Sequence, residues 1–358
     1  MTPFPANCYP SAVPEPGSTA EEFHAIIRGD RRGFGAALAR AGLWWARLPL
    51  GFAAGARNRA YDRGFWKAAR VPVPVVCVGN LTLGGTGKTP CVEYVARFYR
   101  DLGRQVAILS RGYGAKAGPN DEAMVLEENL PDVPHLQGRD RVAIAMTAVE
   151  ELESDVLVLD DGFQHRRLAR DLDIVLVDAT RPLDREYLFP RGLLREPVSS
   201  LKRAGAIVLT RVDQVDEALV AKQTAWLSER FPTTPIATAI HAPVELPTDF
   251  RGTVVGAFCG LGNPKAFRRT LTDLGAEVRE FRTYPDHHNY TRADVDELRE
   301  WAAKLPADAM IATTQKDQVK LRLTELAGRA VWAVRIGMQF QTGEADIQAK
   351  LSAAIGER

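Results

Sequence analysis

The sequence predicts an α/β protein whose core is a doubly wound, largely parallel sheet. Continuous apolar runs follow one another along the middle of the chain, and polar or helical segments separate them. Such runs are typical of strands buried between two helical layers, and their alternation with helices is typical of a parallel sheet. We predict strands at 73–78, 106–110, 155–160, 174–177 and 207–210.

The first of these runs leads into a glycine-rich loop and a helix. It ends at Gly79, glycines follow at 84, 85 and 87, and Lys88-Thr89 opens a helical pattern that continues to Tyr99. Strand, loop and helix in this order form a phosphate-binding P-loop, in which exposed backbone N–H groups and the helix N-terminus hold phosphate. The pattern predicts Lys88 on the β- and γ-phosphates and the Thr89 hydroxyl on Mg²⁺. The alternative is a surface turn that happens to precede a lysine.

Eight consecutive residues form the predicted nucleotide-binding loop: Thr82, Leu83, Gly84, Gly85, Thr86, Gly87, Lys88 and Thr89. The loop departs from the usual pattern, because Thr82 stands where that pattern has glycine. It is closer to the compact form of some P-loop ATPases, although Leu83 stands where that form carries an additional lysine. We therefore expect a variant P-loop, and it is the starting point for the rest of the site.

Two carboxylates, Asp160 and Asp161, follow the apolar run Val-Leu-Val-Leu. An acidic residue that ends a strand beside the P-loop strand lies at the crevice where Mg²⁺ binds. We predict Thr89, Asp160 and Asp161 as magnesium ligands, and Lys88 and Asp161 as part of the catalytic centre. Nearby, we expect His165 to be a hydrogen-bonded loop residue rather than a catalytic one.

We divide the chain into four parts. Residues 1–35 are predicted as a disordered, basic segment, 36–72 as an amphipathic membrane-associated helix and 73–250 as the P-loop core. Residues 251–358 are predicted as a second, smaller α/β domain, because strand and helix patterns begin afresh near residue 251.

Basic residues and an apolar patch characterise the N-terminal helix. From Arg28 to Arg70, ten Lys/Arg stand against only Asp30 and Asp62, and they flank the apolar patch 42–54. The patch is too short to span a bilayer, but it suits a helix lying in a membrane interface with arginines on anionic headgroups. A helix packed on the core with a solvated basic face explains the composition equally well.

Composition narrows the class of protein. The 46 Lys/Arg and 45 Asp/Glu leave a net charge of +1, which does not indicate a nucleic-acid-binding surface. The four cysteines show no C-x-x-C spacing, which is simplest to explain by a reducing compartment and no structural metal. No signal-peptide pattern and no run near the ~20 apolar residues of a spanning helix are present. We expect a cytosolic or peripheral protein.

One segment keeps a GTPase alternative open. Thr210-Arg-Val-Asp213 follows a strand and is similar to the T-K-x-D element by which some P-loop GTPases read guanine, but Arg211 stands where that element has lysine. The competing class is therefore a GTPase of the metallochaperone or transport-regulator type, which uses a P-loop to switch rather than to phosphorylate.

Seven segments in a fixed order carry a resemblance to a known family. They are V-G-N-L-T-L-G-G-T-G-K-T-P (78–90), S-R-G-Y-G (110–114), D-D-G-F-Q-H-R-R-L (160–168), L-R-E-P (194–197), G-L-G-N-P (260–264), Y-P-D-H-H (284–288) and T-Q-K-D (314–317). Together they closely resemble the tetraacyldisaccharide 4′-kinases, the lipid A 4′-kinases, from about Phe23 to the last strand. The resemblance implies a two-domain P-loop protein that uses ATP and Mg²⁺ to phosphorylate the 4′-hydroxyl of a tetraacyldisaccharide 1-phosphate.

The resemblance also implies where the protein works and which residues meet the glycolipid. The family acts at the cytoplasmic face of the inner membrane and contacts the bilayer through its N-terminal helix, so Trp44 and Trp45 become candidate lipid contacts. Arg111, Tyr113 and Gln164 are the other candidate substrate-binding residues. No oligomeric state follows from the sequence.

The candidate base is Asp121. The family's catalytic aspartate lies in a Gly-Asp-Glu-Pro segment, and residues 120–123 of this chain, Asn-Asp-Glu-Ala, are similar to it. A sugar hydroxyl is a poor nucleophile, so a nearby group must accept its proton, and Asp160 and Asp161 are assigned to Mg²⁺. We predict that His287 orients Asp121 and shares the proton. The alternative for Asp121 is a turn residue that caps its own backbone.

Overall fold

A computed structural model of the protein describes residues 23, 25–27, 29–112, 121–246 and 248–356. In this part of the chain one sheet of twelve strands forms the centre of the molecule. Its strands are β1 (Val75–Asn80), β2 (Val106–Ser110), β3 (His135–Gln137), β4 (Val156–Asp160), β5 (Leu172–Asp178), β6 (Ala206–Thr210), β7 (Ile236–Val244), β8 (Val254–Cys259), β9 (Glu277–Thr283), β10 (Met310–Thr314), β11 (Glu325–Leu326) and β12 (Arg329–Thr342).

The helices cover both faces of this sheet. They are α1 (Phe34–Asp62), α2 (Lys88–Asp101), α3 (Asp121–Asn129), α4 (Arg141–Glu150), α5 (Glu217–Arg230), α6 (Pro264–Asp273), α7 (Arg292–Lys304), α8 (Gln315–Leu321) and α9 (Glu344–Gly356). Three short 3₁₀ turns follow β5 and β6, at Leu183–Arg185, Val198–Arg203 and Val212–Gln214.

The strand order is β3-β2-β4-β1-β5-β6-β7-β12-β10-β8-β9, with β11 paired to β12. From β3 to β7 every neighbouring pair is parallel. All five strands predicted from apolar runs are present, as β1, β2, β4, β5 and β6. The predicted α/β class with a mostly parallel, doubly covered sheet is therefore confirmed.

Side-chain alternation along β1 explains why both faces are covered. Val76 and Val78 belong to the apolar cluster that includes α2 and α9, whereas Val75 and Cys77 belong to the cluster that includes α4. Every residue of β1 is buried. A strand whose two faces both meet helices shows a continuous apolar run, which is the pattern that predicted it.

Strand β12 joins the two parts of the sheet. Its first half pairs in parallel with β10, and its second half pairs antiparallel with β7. After β12 the chain crosses back to the P-loop core, where Leu351 of α9 is fully buried and its carbonyl accepts a hydrogen bond of 2.8 Å from the Tyr99 hydroxyl. The domain boundary near residue 250 stays a prediction, and two elements beyond it contact the first core.

Helix α1 ends at Asp62, earlier than the predicted limit at residue 72. Ion pairs attach its C-terminal half to the core: Arg57 pairs with Glu196, whose carboxylate is fully buried, and Asp62 pairs with Arg166 at 2.7 Å. None of the helices within the described ranges combines the length and apolar character that crossing a membrane requires.

Candidate active site

The predicted P-loop lies between the end of β1 and the start of α2. Gly84 and Gly87 have φ angles of 102° and 78°, which is left-handed backbone that glycine adopts without strain. Inside the loop, Asn80 Nδ2 donates a 3.0 Å hydrogen bond to Thr86 Oγ1. Helix α2 begins at Lys88. The N-terminus of α2, whose free N–H groups stabilise anions, therefore lies at the carboxyl edge of the sheet.

A neighbouring loop supports the P-loop. The backbone N–H of Leu83 donates to the carbonyl of Leu193 at 2.8 Å. Gly192, in the same supporting loop, lies so close to Tyr187 that an added Cβ would be 2.3 Å from the Tyr187 carbonyl oxygen. The shape of the supporting loop therefore depends on a glycine at this position.

The segment Thr210-Arg-Val-Asp213 also contacts the P-loop. Arg211 Nη2 donates to the Gly85 carbonyl at 2.7 Å, and its Nη1 pairs with Asp178 at 2.5 Å. The Thr210 hydroxyl donates to the Thr86 carbonyl at 3.2 Å. The first two residues of the segment thus hold the P-loop backbone, while its aspartate is exposed.

His241 was not predicted, yet it lies directly against the P-loop. A Cβ added to Gly87 would be 1.9 Å from His241 Cε1. Burial, with a contribution from the nearby Arg211, lowers the pKa of His241 to about 4, so the imidazole is neutral at neutral pH. His241 lies on β7, and two strands separate β7 from β1 in the sheet. No local sequence signal connects this histidine to the P-loop.

Asp160 ends β4 beside the P-loop strand. Burial raises the pKa of Asp160 to about 6, the charges of Asp161 and Glu122 add to this effect, and Lys88 opposes it. Its buried Oδ1 has no hydrogen-bond partner among the residues that the structure describes. A buried carboxylate oxygen without a partner favours a nearby cation.

Asp161 lies in a different environment. Lys88 Nζ is 3.5 Å and Arg195 Nη1 is 2.9 Å from its carboxylate. Burial raises the pKa of Asp161, but these two cations outweigh burial and hold the pKa below its usual value. Arg195 Nη1 also donates to Gln164 Oε1 at 3.4 Å, and Gln164 Nε2 donates to the Asn80 carbonyl at 2.6 Å. Gln164 therefore connects the Asp161 cluster to the end of β1.

The donor set at this crevice suits Mg²⁺. Thr89 is the second residue of α2, and Asp160 offers a buried oxygen without a partner. Magnesium in P-loop sites uses one hydroxyl, one or two carboxylates, water and the phosphates of the nucleotide. Within the described ranges, no group of three or more His, Cys, Asp or Glu could hold a metal ion by itself. The nucleotide would therefore supply the remaining ligands.

The predicted Asp121–His287 pair is formed. The two residues are distant in sequence, and His287 Nδ1 lies 3.1 Å from Asp121 Oδ2. Burial raises the pKa of Asp121, but the hydrogen bond to His287 and the charges of Lys320 and Lys316 together lower it to about 2. The same hydrogen bond raises the pKa of His287. Asp121 is the first residue of α3 and is ionised at neutral pH.

Glu122 connects the two halves of the site. The negative charge of Glu122 helps to raise the pKa of Asp160. Lys316 Nζ lies 3.3 Å from the Glu122 carboxylate. The start of α3 therefore lies between the carboxylate crevice beside the P-loop and the lysines of α8. The Asp121–His287 pair therefore lies at the same end of α3 as Glu122, the residue whose charge acts on Asp160.

The predicted substrate residues that the structure describes lie on three segments: Arg111 after β2, Gln164 after β4, and Trp44 and Trp45 on α1. Arg111 follows β2, which pairs with β4, and is exposed at the same edge of the sheet as Asp160. Trp44 and Trp45 are on α1, with 38% and 67% of their surfaces exposed. Tyr113 lies outside the described residues. The structure therefore brings Arg111 and Gln164 to the crevice edge and leaves the tryptophans on the N-terminal helix.

Three residues of the site were missed from the sequence: Arg195, His241 and Lys320. Arg195 lies within the Leu-Arg-Glu-Pro segment, which carried the resemblance but had no assigned role. Lys320 follows the Thr-Gln-Lys-Asp segment by one helical turn, so helical spacing could have indicated that it lies near Lys316.

These features define a class of protein. A parallel α/β sheet carries a P-loop, two carboxylates line the adjacent crevice, and an acid–imidazole pair lies beside it. This is the arrangement of a P-loop nucleotide-dependent phosphotransferase, in which the nucleotide and the acceptor meet at the carboxyl edge of the sheet.

Comparison with known proteins identifies the family. The family model described as tetraacyldisaccharide-1-P 4′-kinase matches residues 39–356, and the chain belongs to this family. The tetraacyldisaccharide 4′-kinase of Anaeromyxobacter sp. (strain Fw109-5) is 43% identical over 329 residues, covering 84% of this chain and 88% of that protein. The enzyme of the same name from Chlorobium luteolum is 34% identical and covers 87% and 96%.

A solved structure agrees with this assignment. The crystal structure of LpxK from Aquifex aeolicus, described as a complex with ATP, is 30% identical and superposes with a TM-score of 0.72. The match covers 88% of this chain and 99% of that one. The kinase interpretation is therefore favoured over the GTPase alternative.

Proposed function

We propose that this protein transfers the γ-phosphate of ATP to the 4′-hydroxyl of a tetraacyldisaccharide 1-phosphate, a lipid A precursor. Family membership supports the reaction, and one observation in the structure supports its chemistry. The Asp121–His287 hydrogen bond of 3.1 Å supplies a proton acceptor beside the P-loop crevice. A GTPase that only switches between nucleotide states has no acceptor hydroxyl. It therefore does not need a group that accepts a proton from one.

The P-loop residues 82–89 bind the phosphates of ATP. Lys88, whose Nζ lies 3.5 Å from Asp161, contacts the β- and γ-phosphates. Thr89, Asp160 and Asp161 would hold Mg²⁺, and the ion would supply positive charge against the phosphates. Arg195 keeps Asp161 ionised and oriented toward Lys88.

The acceptor oxygen attacks the γ-phosphorus as the bond from phosphorus to the β–γ bridging oxygen breaks, and ADP leaves. The hydroxyl proton passes to the Asp121 carboxylate, and His287 shares it through the hydrogen bond. The cations around Asp121 all approach Oδ2, which leaves Oδ1 for the hydroxyl. Arg111 contacts the glycolipid headgroup from the end of β2, and Gln164 contacts it from the loop after β4; Tyr113, outside the described residues, stays a contact predicted from the sequence.

A carboxylate with a pKa of about 2 is a weak base, yet it suits this reaction. Phosphoryl transfer has a loose transition state in which the attacking hydroxyl keeps its proton until late. A group that is fully ionised and correctly placed is then more important than a strong base. His287, whose pKa is raised by the same contact, increases the capacity of the pair to keep the proton.

We also propose that α1 lies on the cytoplasmic face of the inner membrane. Large apolar side chains on this helix are exposed: 86% for Phe34, 64% for Leu38, 67% for Trp45 and 74% for Phe52. An exposed apolar face with arginines beside it favours an interface between acyl chains and anionic headgroups. The substrate carries four acyl chains, so peripheral binding there brings enzyme and substrate together.

A transfer assay tests the proposed reaction. The full-length protein is incubated with γ-labelled ATP or GTP, Mg²⁺ and a tetraacyldisaccharide 1-phosphate in detergent micelles, and labelled glycolipid is separated from labelled phosphate. We expect labelled glycolipid from ATP, and none when Mg²⁺ is removed by chelation. Release of phosphate from GTP at the same rate with or without glycolipid, and no labelled glycolipid, would support the GTPase alternative instead.

A further inference from the structure

Lys320 is a nearly buried lysine that contacts Asp121 and the residue that follows His287. Only 7% of its side chain is exposed. Its ammonium lies 3.2 Å from Asp121 Oδ2 and donates a 3.0 Å hydrogen bond to the carbonyl of His288, the residue after His287. One cation therefore fixes the carboxylate directly and the histidine through its backbone.

Asp317 holds this lysine in place. Lys320 Nζ lies 3.7 Å from Asp317 Oδ1, one helical turn earlier on α8. Asp317 is completely buried, and it accepts hydrogen bonds from the Gly260 N–H at 3.0 Å, the Thr314 hydroxyl at 2.6 Å and the Tyr290 hydroxyl at 3.0 Å. A buried carboxylate with three donors has a fixed position, and so does the ammonium paired with it.

The second lysine of α8 is in a different situation. Lys316 is more exposed, at 21%, and lies 3.9 Å from Asp121 Oδ2. Its ammonium is shared among Glu122 at 3.3 Å, His287 Nε2 at 3.4 Å and Asp286 at 3.8 Å. Lys320 is therefore the nearer and better-ordered cation for Asp121.

We propose that Lys320 is a positioning residue of the kinase, which holds Asp121 against His287 from the buried Asp317 on α8. The proposal deepens the proposed function, because it rests on Asp121 as the proton acceptor. Lys320 does not contact the reacting atoms. It acts by fixing which Asp121 oxygen faces His287 and by keeping the carboxylate ionised.

The surrounding charges support this role. Asp121 faces His287 and two lysines, and the lysine charges contribute to its lowered pKa. The other end of α3 is tied to α8 as well, since Gln315 Nε2 donates to Asn129 Oδ1 at 2.6 Å. Helix α3 is thus attached to α8 at both ends, and Lys320 makes the attachment at the N-terminal end, where Asp121 lies.

A double-mutant cycle tests the proposal. Lys320→Met and Asp121→Ala are measured alone and together in the glycolipid transfer assay, with Lys320→Arg for rescue and exposed Lys304→Met as the matched control. We expect Lys320→Met to lower kcat by about 10-fold or more with KM for ATP unchanged, and Lys320→Arg to recover most of it. In the Asp121→Ala background, Lys320→Met should cost nothing further, because the residue through which it acts is absent.

The outcomes separate this proposal from the one on which it rests. If Asp121→Ala alone leaves kcat unchanged, Asp121 is not the proton acceptor, and the proposed chemistry fails. If both single variants lose activity and their losses multiply in the double variant, Lys320 acts elsewhere and the positioning role is wrong. Thermal unfolding of each variant shows whether it is folded. If Lys320→Met does not fold, Lys320→Gln replaces it in the same cycle, because glutamine keeps a donor for the His288 carbonyl.

Discussion

The environments of three carboxylates decide what each can do. Asp160 is half-buried, with a buried, unpartnered oxygen and a pKa raised to about 6, whereas cations hold Asp161 and Asp121 below their usual pKa values. A carboxylate that burial disfavours as an anion gains most from a divalent cation. A carboxylate already paired with lysine and histidine stays available to a hydroxyl. The proposed roles of Asp160 as a metal ligand and of Asp121 as the proton acceptor fit these surroundings, whereas the assignment of Asp161 to Mg²⁺ rests on its position next to Asp160 at the end of β4.

The Asp121–His287 hydrogen bond leads to the first prediction. Asp121→Ala and His287→Ala should each lower kcat by about 10²-fold or more, with little change in ATP affinity, because each removes part of one proton-accepting unit. The double variant should lose much less than the product of the two single losses. Steady-state kinetics of the four proteins give the answer, and fully multiplicative losses would show that the residues act separately.

The pH dependence of kcat gives a second prediction. The hydrogen bond to Asp121 raises the pKa of His287 above its ordinary value of 6.5, and the charge of Lys316 opposes this. As pH falls through that pKa, the His287 imidazole becomes protonated. It can then no longer share the proton that leaves the acceptor hydroxyl, so kcat should fall on the acid side. Lys316→Met removes the opposing cation and should move this limb to higher pH. A limb that moves to lower pH in that variant would contradict the assignment.

Individual residues also show how far a sequence can predict a site. Lys88, Asp160 and Asp161 were predictable because strand, loop and helix place them at one edge of a sheet. The contact between Asp121 and His287 followed from chemistry and a resemblance, since nothing in residue spacing brings them together. His241 had no signal at all, because its contact with the P-loop depends on how far β7 extends beyond its neighbours.

Helix α1 carries the third prediction. Replacing Trp44 and Trp45 with Glu should release the protein from anionic vesicles in a flotation assay, since charged side chains do not enter the acyl region. High salt should weaken binding of the unchanged protein only in part, because salt screens arginine–headgroup attraction and not apolar insertion. Leu102→Glu/Leu152→Glu adds the same charge at exposed positions outside α1 and is the matched control. Unchanged flotation of the tryptophan variant would favour the alternative, in which α1 only packs on the protein core and its basic face is solvated.

The loop beside the P-loop carries the fourth prediction. Gly192→Ala would place a Cβ 2.3 Å from the Tyr187 carbonyl oxygen, so backbone must shift, and we expect a loss of about 1–3 kcal/mol in the free energy of unfolding. ATP affinity should also fall, because this loop accepts the hydrogen bond of Leu83. Gly55→Ala, in open space on α1, should be neutral or stabilising by up to about 1 kcal/mol. Urea unfolding and ATP titration measure both effects, and a Gly192→Ala protein as stable as the control would contradict the assigned contact.

Across the molecule, one sheet connects the nucleotide half to the half that supplies His287 and Lys320. The sequence predicted two α/β units in order, because each has its own strand–helix pattern. It did not predict that β12 joins them by pairing with β7 antiparallel, since β12 is 14 residues long and its two halves have different partners. Pairing between strands distant in sequence leaves no local pattern. The return of α9 to the first core was unpredictable for the same reason.

The most direct test of the proposed kinase reaction is phosphate transfer by the wild type and by Lys88→Ala. Both are mixed with γ-labelled ATP, Mg²⁺ and tetraacyldisaccharide 1-phosphate, and phosphorus–proton correlation by NMR locates the new phosphate on the isolated product. We expect a phosphate on the 4′-oxygen from the wild type, and loss of most of kcat in a normally folded Lys88→Ala protein, because transfer depends on neutralising charge at the γ-phosphate. Phosphate at another position would contradict the proposed acceptor, and near-wild-type turnover by Lys88→Ala would remove the P-loop from the mechanism.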